Sequence, residues 1–475
     1  MPLLSGRAES ECPEKENQAS NTMDRHQDSG GPRGGRGKTV SLATFGCAKN
    51  LVDSEVMLGY LRRAGYSVLP VPDRADVIIL NTCGFIGLAK EEAAQALKEA
   101  AAHKRRDNSK TIIATGCYVE RFGEGLRSEY PEVDVWLGVK DFDKIVQAIE
   151  GRSFRRGKET FLCSHKTPRL ISTPPSWAYV KISEGCSHEC AFCAIPLIKG
   201  PYRSRPLSSI VAEARELGRR GIKEINLISQ DTTYFGHDKG INNGLVRLLR
   251  RLIDVPGLSW IRFLYGYPEE ITDDLLEIMA DKKICAYLDI PFQHADSRVL
   301  RAMRRSTDGK RGLALIEKIR KRLPDVALRT SLIVGFPSEG RKEFETLKAF
   351  VRTARFDHLG VFTYSPEDGT NSFRLGNPVS EQDKASRQEE IMWIQAGISA
   401  ENNKKYLKRR IEVLIDNPFT HRQKPFSGRA RFQAPEVDGV VYIQENRHTS
   451  HELRPLETVE IVAADVYDLH GKIVP

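Results

Sequence analysis

No apolar run in the 475 residues approaches the roughly 18 needed to cross a bilayer, and Met1-Pro-Leu-Leu-Ser lacks the basic start and long apolar centre of a secretory leader. A soluble, cytoplasmic protein with no membrane partner is therefore expected. A disulfide framework is missing too. Nine cysteines is an odd number, and the six that stand out sit at expected strand ends rather than in a dense small scaffold, which suits metal ligation in a reducing compartment. Charge of one sign is not dominant: 72 Lys and Arg against 63 Asp and Glu leave +9, which permits an anionic partner such as RNA without requiring one. With 40% hydrophobic residues, the chain is long enough for two or three cored domains.

Cysteine is also absent where a ferredoxin would have it. Cys186-Ser-His-Glu-Cys190-Ala-Phe-Cys193 has the spacing CxxxCxxC, Cys193 runs into Ala-Ile-Pro-Leu-Ile-Lys, and no further cysteine occurs until Cys285. Three thiolates hold an iron-sulfur cube but leave one of its four irons without a protein sulfur. Electron storage has no need of that open iron, whereas chemistry does. Zinc is the plainer alternative. Its sign would be paired CxxC motifs or a Cys-His set, and His188 is a candidate ligand with no second pair to complete a tetrahedron. The strand-like run Ala178-Tyr-Val-Lys-Ile-Ser-Glu-Gly before the loop places the loop at a strand's C-terminal end.

Residues 1–37 are polar and Gly/Arg-rich, and read as a disordered tail that contains Cys12. From Thr39, over residues 38–152, strand and helix alternate, which argues an open parallel sheet covered by helices. Three of the expected strands end in a cysteine: Phe45-Gly-Cys47, Asn81-Thr-Cys83 and Thr115-Gly-Cys117. The C-terminal strand ends of such a sheet share one edge, so the three cysteines meet in space. Any one of them alone reads as a small apolar filler. All three in one topological position favour a second three-thiolate site. Residues 153–176, with Cys163, His165 and the prolines Pro168, Pro174 and Pro175, read as a linker. Cys12, Cys163 and Cys285 receive no role.

From Trp177 to residue 402 six strand-helix units follow, with strands expected near 178–183, 224–229, 260–265, 286–291, 327–334 and 358–364. Six units make a partial (β/α)6 barrel rather than a closed one of eight, with active groups at the C-terminal strand ends. Phe192 precedes the last cysteine of the loop. Ser229 and Asp231 end the second strand, Gln293 the fourth, Arg329 and Gly335 the fifth, and Tyr364 the sixth. Polar groups at a barrel mouth hold a zwitterionic amino acid, an arginine taking the carboxylate and an acid or carbonyl the ammonium. Singly, each is equally an ordinary strand end. Residues 403–475 turn to short strands with polar turns, a small OB-like antiparallel barrel. Between Glu436 and Pro475 eight acids face three bases, a poor phosphate tracker and a better dock for a basic protein.

The CxxxCxxC loop with Phe192 resembles that of the radical S-adenosylmethionine enzymes, and from Thr39 onward the chain resembles their methylthiotransferase family, of the RimO type. The stretches that carry this are Cys47-Ala-Lys-Asn-Leu-Val-Asp-Ser-Glu55, Asn81-Thr-Cys-Gly-Phe-Ile-Gly, Cys193-Ala-Ile-Pro-Leu-Ile-Lys-Gly, Ile228-Ser-Gln-Asp-Thr and Ala434-Pro-Glu-Val-Asp-Gly-Val-Val-Tyr-Ile. The chain departs from the pattern at Ala48, where proline is usual, at Ala43-Thr-Phe, and at Arg429-Ala-Arg-Phe-Gln, which replaces a small-residue run. The resemblance implies two 4Fe-4S clusters, one on Cys186, Cys190 and Cys193 and one on Cys47, Cys83 and Cys117. It also implies S-adenosylmethionine at the mouth residues named above, an electron donor such as flavodoxin or ferredoxin, and a TRAM-like C-terminal domain that docks substrate. The implied substrate is an aspartate of small-subunit ribosomal protein twelve, methylthiolated at an unactivated carbon. The cofactors carry that chemistry, so no acid-base dyad is needed. MiaB-type action on isopentenyl-adenosine of tRNA is the second reading, and a non-catalytic iron-sulfur carrier the third.

Overall fold

The computed structural model describes residues 37–417, 426–444 and 454–474. The tail expected over residues 1–37 lies outside them except for Gly37, and so does Cys12. Val77-Ile-Ile-Leu-Asn-Thr is buried along its whole length because both faces of its strand are covered, the signature of a parallel sheet under helices. That sheet contains β1 (Thr39–Thr44), β2 (Ser67–Val68), β3 (Val77–Thr82), β4 (Thr111–Gly116) and β5 (Val135–Leu137), all parallel, in the order β2-β1-β3-β4-β5. Helices α1 (Ala48–Arg63), α2 (Gly87–Arg106), α3 (Cys117–Glu129) and α4 (Ile145–Ile149) accompany it.

The stretch 153–176 carries no helix or strand, and its second half is a strap tied down at a few buried points. Cys163 packs into the core beneath the sheet, and Arg169 pairs with Glu55 of α1 at 2.6 Å and with Glu213 at 2.9 Å. The Ser172 backbone N–H and hydroxyl both donate to Glu55. Composition hid this because the contacts are polar and distant in sequence.

Six parallel strands then follow: β6 (Trp177–Lys181), with a short hairpin of β7 (Ser183–Glu184) and β8 (Arg203–Ser204) after it, β9 (Glu224–Ile228), β10 (Trp260–Phe263), β11 (Tyr287–Asp289), β12 (Ala327–Val334) and β13 (His358–Thr363). They form two bonded trios, β10-β9-β6 and β11-β12-β13, joined by a parallel bridge between Ile261 and Ile284. The outer wall contains α6 (Leu207–Arg219), α7 (Gly244–Ile253), α8 (Asp273–Ile278), α10 (Gly309–Arg322) and α11 (Arg341–Ala354), after the five-residue α5 (Ile195–Lys199) of the cysteine loop; α9 (Ser297–Ala302) packs near the mouth. Leu245, Leu248, Leu249 and Leu252 of α7 show why these helices form: one apolar stripe at spacings of three and four, all of it buried.

After α12 (Glu381–Lys404) the chain closes a five-stranded barrel from β14 (Arg410–Asn417), β15 (Phe426–Ala430), β16 (Val441–Gln444), β17 (Leu456–Ala464) and β18 (Leu469–Ile473), in the order β14-β15-β16-β18-β17. The barrel is not wholly antiparallel as expected, because β18 slots between β16 and β17 and runs parallel to β16. This barrel seals the N-terminal ends of the six central strands. Trp177, Tyr179, Trp260 and Tyr287 pack with its Leu414 and Ala434, and His358 meets the Phe432 carbonyl at 2.8 Å. Two of the eight acids read as an outward face instead bond tyrosines of the central strands. Glu436 accepts from the Tyr179 hydroxyl at 2.8 Å and Asp438 from the Tyr287 hydroxyl at 2.7 Å. Among the described residues no helix is long and apolar enough to cross a membrane.

Candidate active site

Cys47, Cys83 and Cys117 follow β1, β3 and β4, and backbone geometry draws them together. Gly46 turns the chain at φ +90°, and a Cβ there would fall 2.6 Å from the Cβ and 2.8 Å from the Sγ of Cys83, so glycine lets these two loops touch. Asn50 on α1 is the hub. Its Nδ2 donates to the carbonyls of Phe45 (3.0 Å) and Thr82 (3.3 Å), and its Oδ1 accepts from Cys117 Sγ at 3.7 Å. One buried amide thus ties all three cysteine loops. Burial pushes the Cys83 thiol up to about 11 and the Cys117 thiol up to about 12, so both stay protonated until a metal displaces the proton.

Cys186, Cys190 and Cys193 sit on the loop between β7 and α5, which the β7–β8 hairpin closes at its base. Gly185 makes the turn into it at φ +76°, where a Cβ would lie 2.1 Å from the Pro201 carbonyl oxygen. The Cys186 N–H donates to the Gly200 carbonyl and the Ala191 N–H to that of Met303. Burial, with the neighbouring cysteines adding to it, pushes Cys186 up to about 11 and Cys193 up to about 12. Each triad offers three cysteine sulfurs with no Cys or Cys-His pair to complete a tetrahedron. A cube spreads its thiolates over separate irons, so the donor sets of both triads fit a cube better than zinc.

Sequence reasoning missed the residues around these sulfurs. Arg305 places Nη1 3.6 Å from Cys190 Sγ, donates through Nη2 to the Pro291 carbonyl, and lies 3.9 Å over the ring of Tyr267. The other face of Tyr267 stacks on His188 with ring centres 3.9 Å apart. Nothing periodic marks Arg305 in the run Met303-Arg-Arg-Ser, which reads as surface charge. Two residues before Tyr267, Tyr265 holds φ +64° and lies under Lys49, whose Nζ is 3.5 Å from the ring centre. Lys49 is two residues from Cys47, and residues 265 and 267 are at most about 7 Å apart along the chain. One loop therefore touches the surroundings of both triads.

Of the seven expected cofactor contacts, four engage partners within the chain. Asp231 accepts from His188 Nε2 at 2.6 Å and from Thr233 and Tyr234, which ties it to the cysteine loop. The space over Gly335 is filled by the stem of Lys384. The Tyr364 hydroxyl donates to Ser372, and its ring packs with Phe336. Arg329 lies in the first half of β12, not at its end, 3.7 Å from Asp289 and 3.5 Å from Asp438. Phe192, Ser229 and Gln293 remain at the mouth. Phe192 backs the loop against Leu300 and Met303, Ser229 is buried at the end of β9, and Gln293 holds φ +69° where its backbone bridges to β12.

Substituting Arg305 by methionine removes a cation and a donor from the sulfur of Cys190. Because reduction adds negative charge, the midpoint potential of the cluster held there is expected to become more negative. Iron retention is expected to weaken about tenfold to a hundredfold. A redox titration followed by electron paramagnetic resonance, together with iron analysis, reads both.

A cysteine loop at the first strand end of a six-stranded partial barrel defines a radical S-adenosylmethionine enzyme, and residues 180–351 match the Radical SAM superfamily. Residues 39–138 match the uncharacterized protein family UPF0004, and residues 409–474 match the TRAM domain. Over 436 residues the chain is 45% identical to the ribosomal protein uS12 methylthiotransferase RimO of Aquifex aeolicus, covering 91% of this chain and 96% of that one. It is 42% identical to the protein of that name from Pelobacter propionicus, over 91% and 97% of the two chains. The chain belongs to the RimO family of radical S-adenosylmethionine methylthiotransferases, and with that superfamily it uses a 4Fe-4S cluster and S-adenosylmethionine. In fold it is similar to the radical S-adenosylmethionine methyltransferase TsrM of Kitasatospora setae, with a TM-score of 0.50 and 14% identity over 69% of this chain and 76% of that one.

Proposed function

We propose that this protein methylthiolates an aspartate side chain of ribosomal protein uS12, with two four-iron clusters on one lumen. Cys186, Cys190 and Cys193 would hold one, and Cys47, Cys83 and Cys117 the other. When bound, these groups with S-adenosylmethionine supply hydrogen abstraction from an unactivated carbon, a sulfur atom and a methyl group. The chain's own residues orient and shield. Arg305 and His188 brace the first triad, Asn50 ties the second, and the C-terminal barrel seals the far end of the lumen against water. The observation that carries this reading is the loop Tyr265–Tyr267, which touches the surroundings of both triads. An electron donor of the flavodoxin or ferredoxin kind completes the scheme.

The test is mass spectrometry of uS12 and of tRNA nucleosides from cells with and without this protein. Loss of a methylthio mass from uS12 is the expected result. Loss from tRNA, with uS12 unchanged, would overturn the reading in favour of the tRNA-modifying relatives. No loss from either favours the electron carrier.

A further inference from the structure

Lys49 is a buried cation held in its charged form by its hydrogen bond to Tyr265 and by the nearby Cys47 and Asp289, none of which forms an ion pair with it. It is 9% exposed, its ammonium lies against Tyr265, and among the described residues no carboxylate comes within ion-pair distance of it. Three other interior cations of this region have carboxylate partners. Arg329 faces Asp289 and Asp438, and Lys181 and Lys199 share Asp53 and Glu184. An ammonium carries three donors and Tyr265 takes one, so donors remain for an incoming carboxylate, and a charge-assisted bond between them is strong in a buried setting. The site is built rather than incidental. Tyr265, in the left-handed backbone region, is held there by its N–H donating to Asp289 at 3.2 Å, and a non-glycine residue in that conformation persists only where its surroundings enforce it.

We propose that Lys49 binds the carboxylate of the substrate side chain and so fixes the reacting carbon between the two cysteine triads. This rests on the functional reading above. A carboxylate on Lys49 sits beside the loop of Cys47, and its neighbouring carbon faces the loop that leads through Tyr267 to Cys190 and Arg305. Lys49 is then what makes the enzyme choose an acid over its amide, since a charge-assisted hydrogen bond is about twice as strong as a neutral one. The competing role is electrostatic: Lys49 could serve only to balance the negative charge of three thiolates next to it.

The experiment measures binding of fluorescently labelled uS12, and of uS12 with the target aspartate changed to asparagine, to the anaerobically reconstituted full chain. The wild type is expected to prefer the aspartate form by about tenfold or more, the contribution of one hydrogen bond to a charged group. Lys49→Met is expected to bind the two forms equally, and Lys49→Arg to keep most of the preference, with equal iron content in all three proteins as the check on folding. An unchanged preference in Lys49→Met, with a shifted midpoint potential of the cluster on Cys47, Cys83 and Cys117, would overturn the proposal in favour of charge balance. A wild type that binds both forms but does not distinguish them overturns it without any variant. A wild type that binds neither form overturns the assignment of uS12 itself, and the anchor with it.

Discussion

Cys190→Ala is expected to lose 5′-deoxyadenosine formation completely, down to the level of reductant alone, whereas Cys83→Ala keeps that activity and loses methylthio product. The two triads stand on separate elements. Cys190 is on the loop braced by the β7–β8 hairpin and the Met303 carbonyl, and Cys83 is at the end of β3 in the N-terminal sheet. Three thiolates are already one short of the four a cube can take, so removing any one leaves two, and two do not retain it. The thiols also have to lose protons that burial holds on them, up to about 11 for Cys83 and Cys186 and about 12 for Cys117 and Cys193. The metal supplies that free energy only when its full donor set is in place. Product analysis by chromatography and mass spectrometry on both variants decides the matter. Normal methylthio product from Cys83→Ala would remove the second cluster, and deoxyadenosine from Cys190→Ala would remove the first.

The strands were legible where they were long and buried on both faces, as in Val77-Ile-Ile-Leu or Ile225-Asn-Leu-Ile. The two-residue strands β2, β7 and β8 offer no period to read, and β18, Leu469-His-Gly-Lys-Ile, is too polar to announce itself. The grouping of six cysteines into two triads was legible because spacing and sheet-edge topology act through the chain alone. The mouth residues were not, because a strand's position in sequence does not say which level of the lumen a side chain reaches. Arg329 is five residues before the end of β12, about 16 Å at strand rise, and at that depth it meets Asp289 and Asp438. Lys49 and Arg305 escaped for the opposite reason. Each comes from outside the strand ends, and only the folded chain shows that one lies against Tyr265 and the other against Cys190 and Tyr267.

Arg429, in the stretch that departs from the usual small-residue pattern, is expected to be the residue on which the docking of the two barrels depends most. Its guanidinium is 2% exposed, 2.6 Å from Asp416 and 2.8 Å from Glu224, which also holds Arg262 at 2.8 Å. Removing one partner of a buried ion pair costs about 3–5 kcal/mol, so Arg429→Met should lower the melting temperature on the order of 10 °C. The loss is unevenly shared. Glu224 keeps Arg262, but Asp416, which burial already raises despite Arg429, keeps only the Ser176 hydroxyl and rises further. An acid whose folded pKa lies above its unfolded value of about 3.9 costs stability as pH rises through that window. The deficit of Arg429→Met relative to the wild type should therefore be smallest near pH 4 and grow toward neutrality, and adding Asp416→Asn should recover part of it. Thermal melts of the three proteins at two pH values test this. A deficit independent of pH and unrelieved by Asp416→Asn would mean that Arg429 acts through packing against Trp177 and not through the charges it faces.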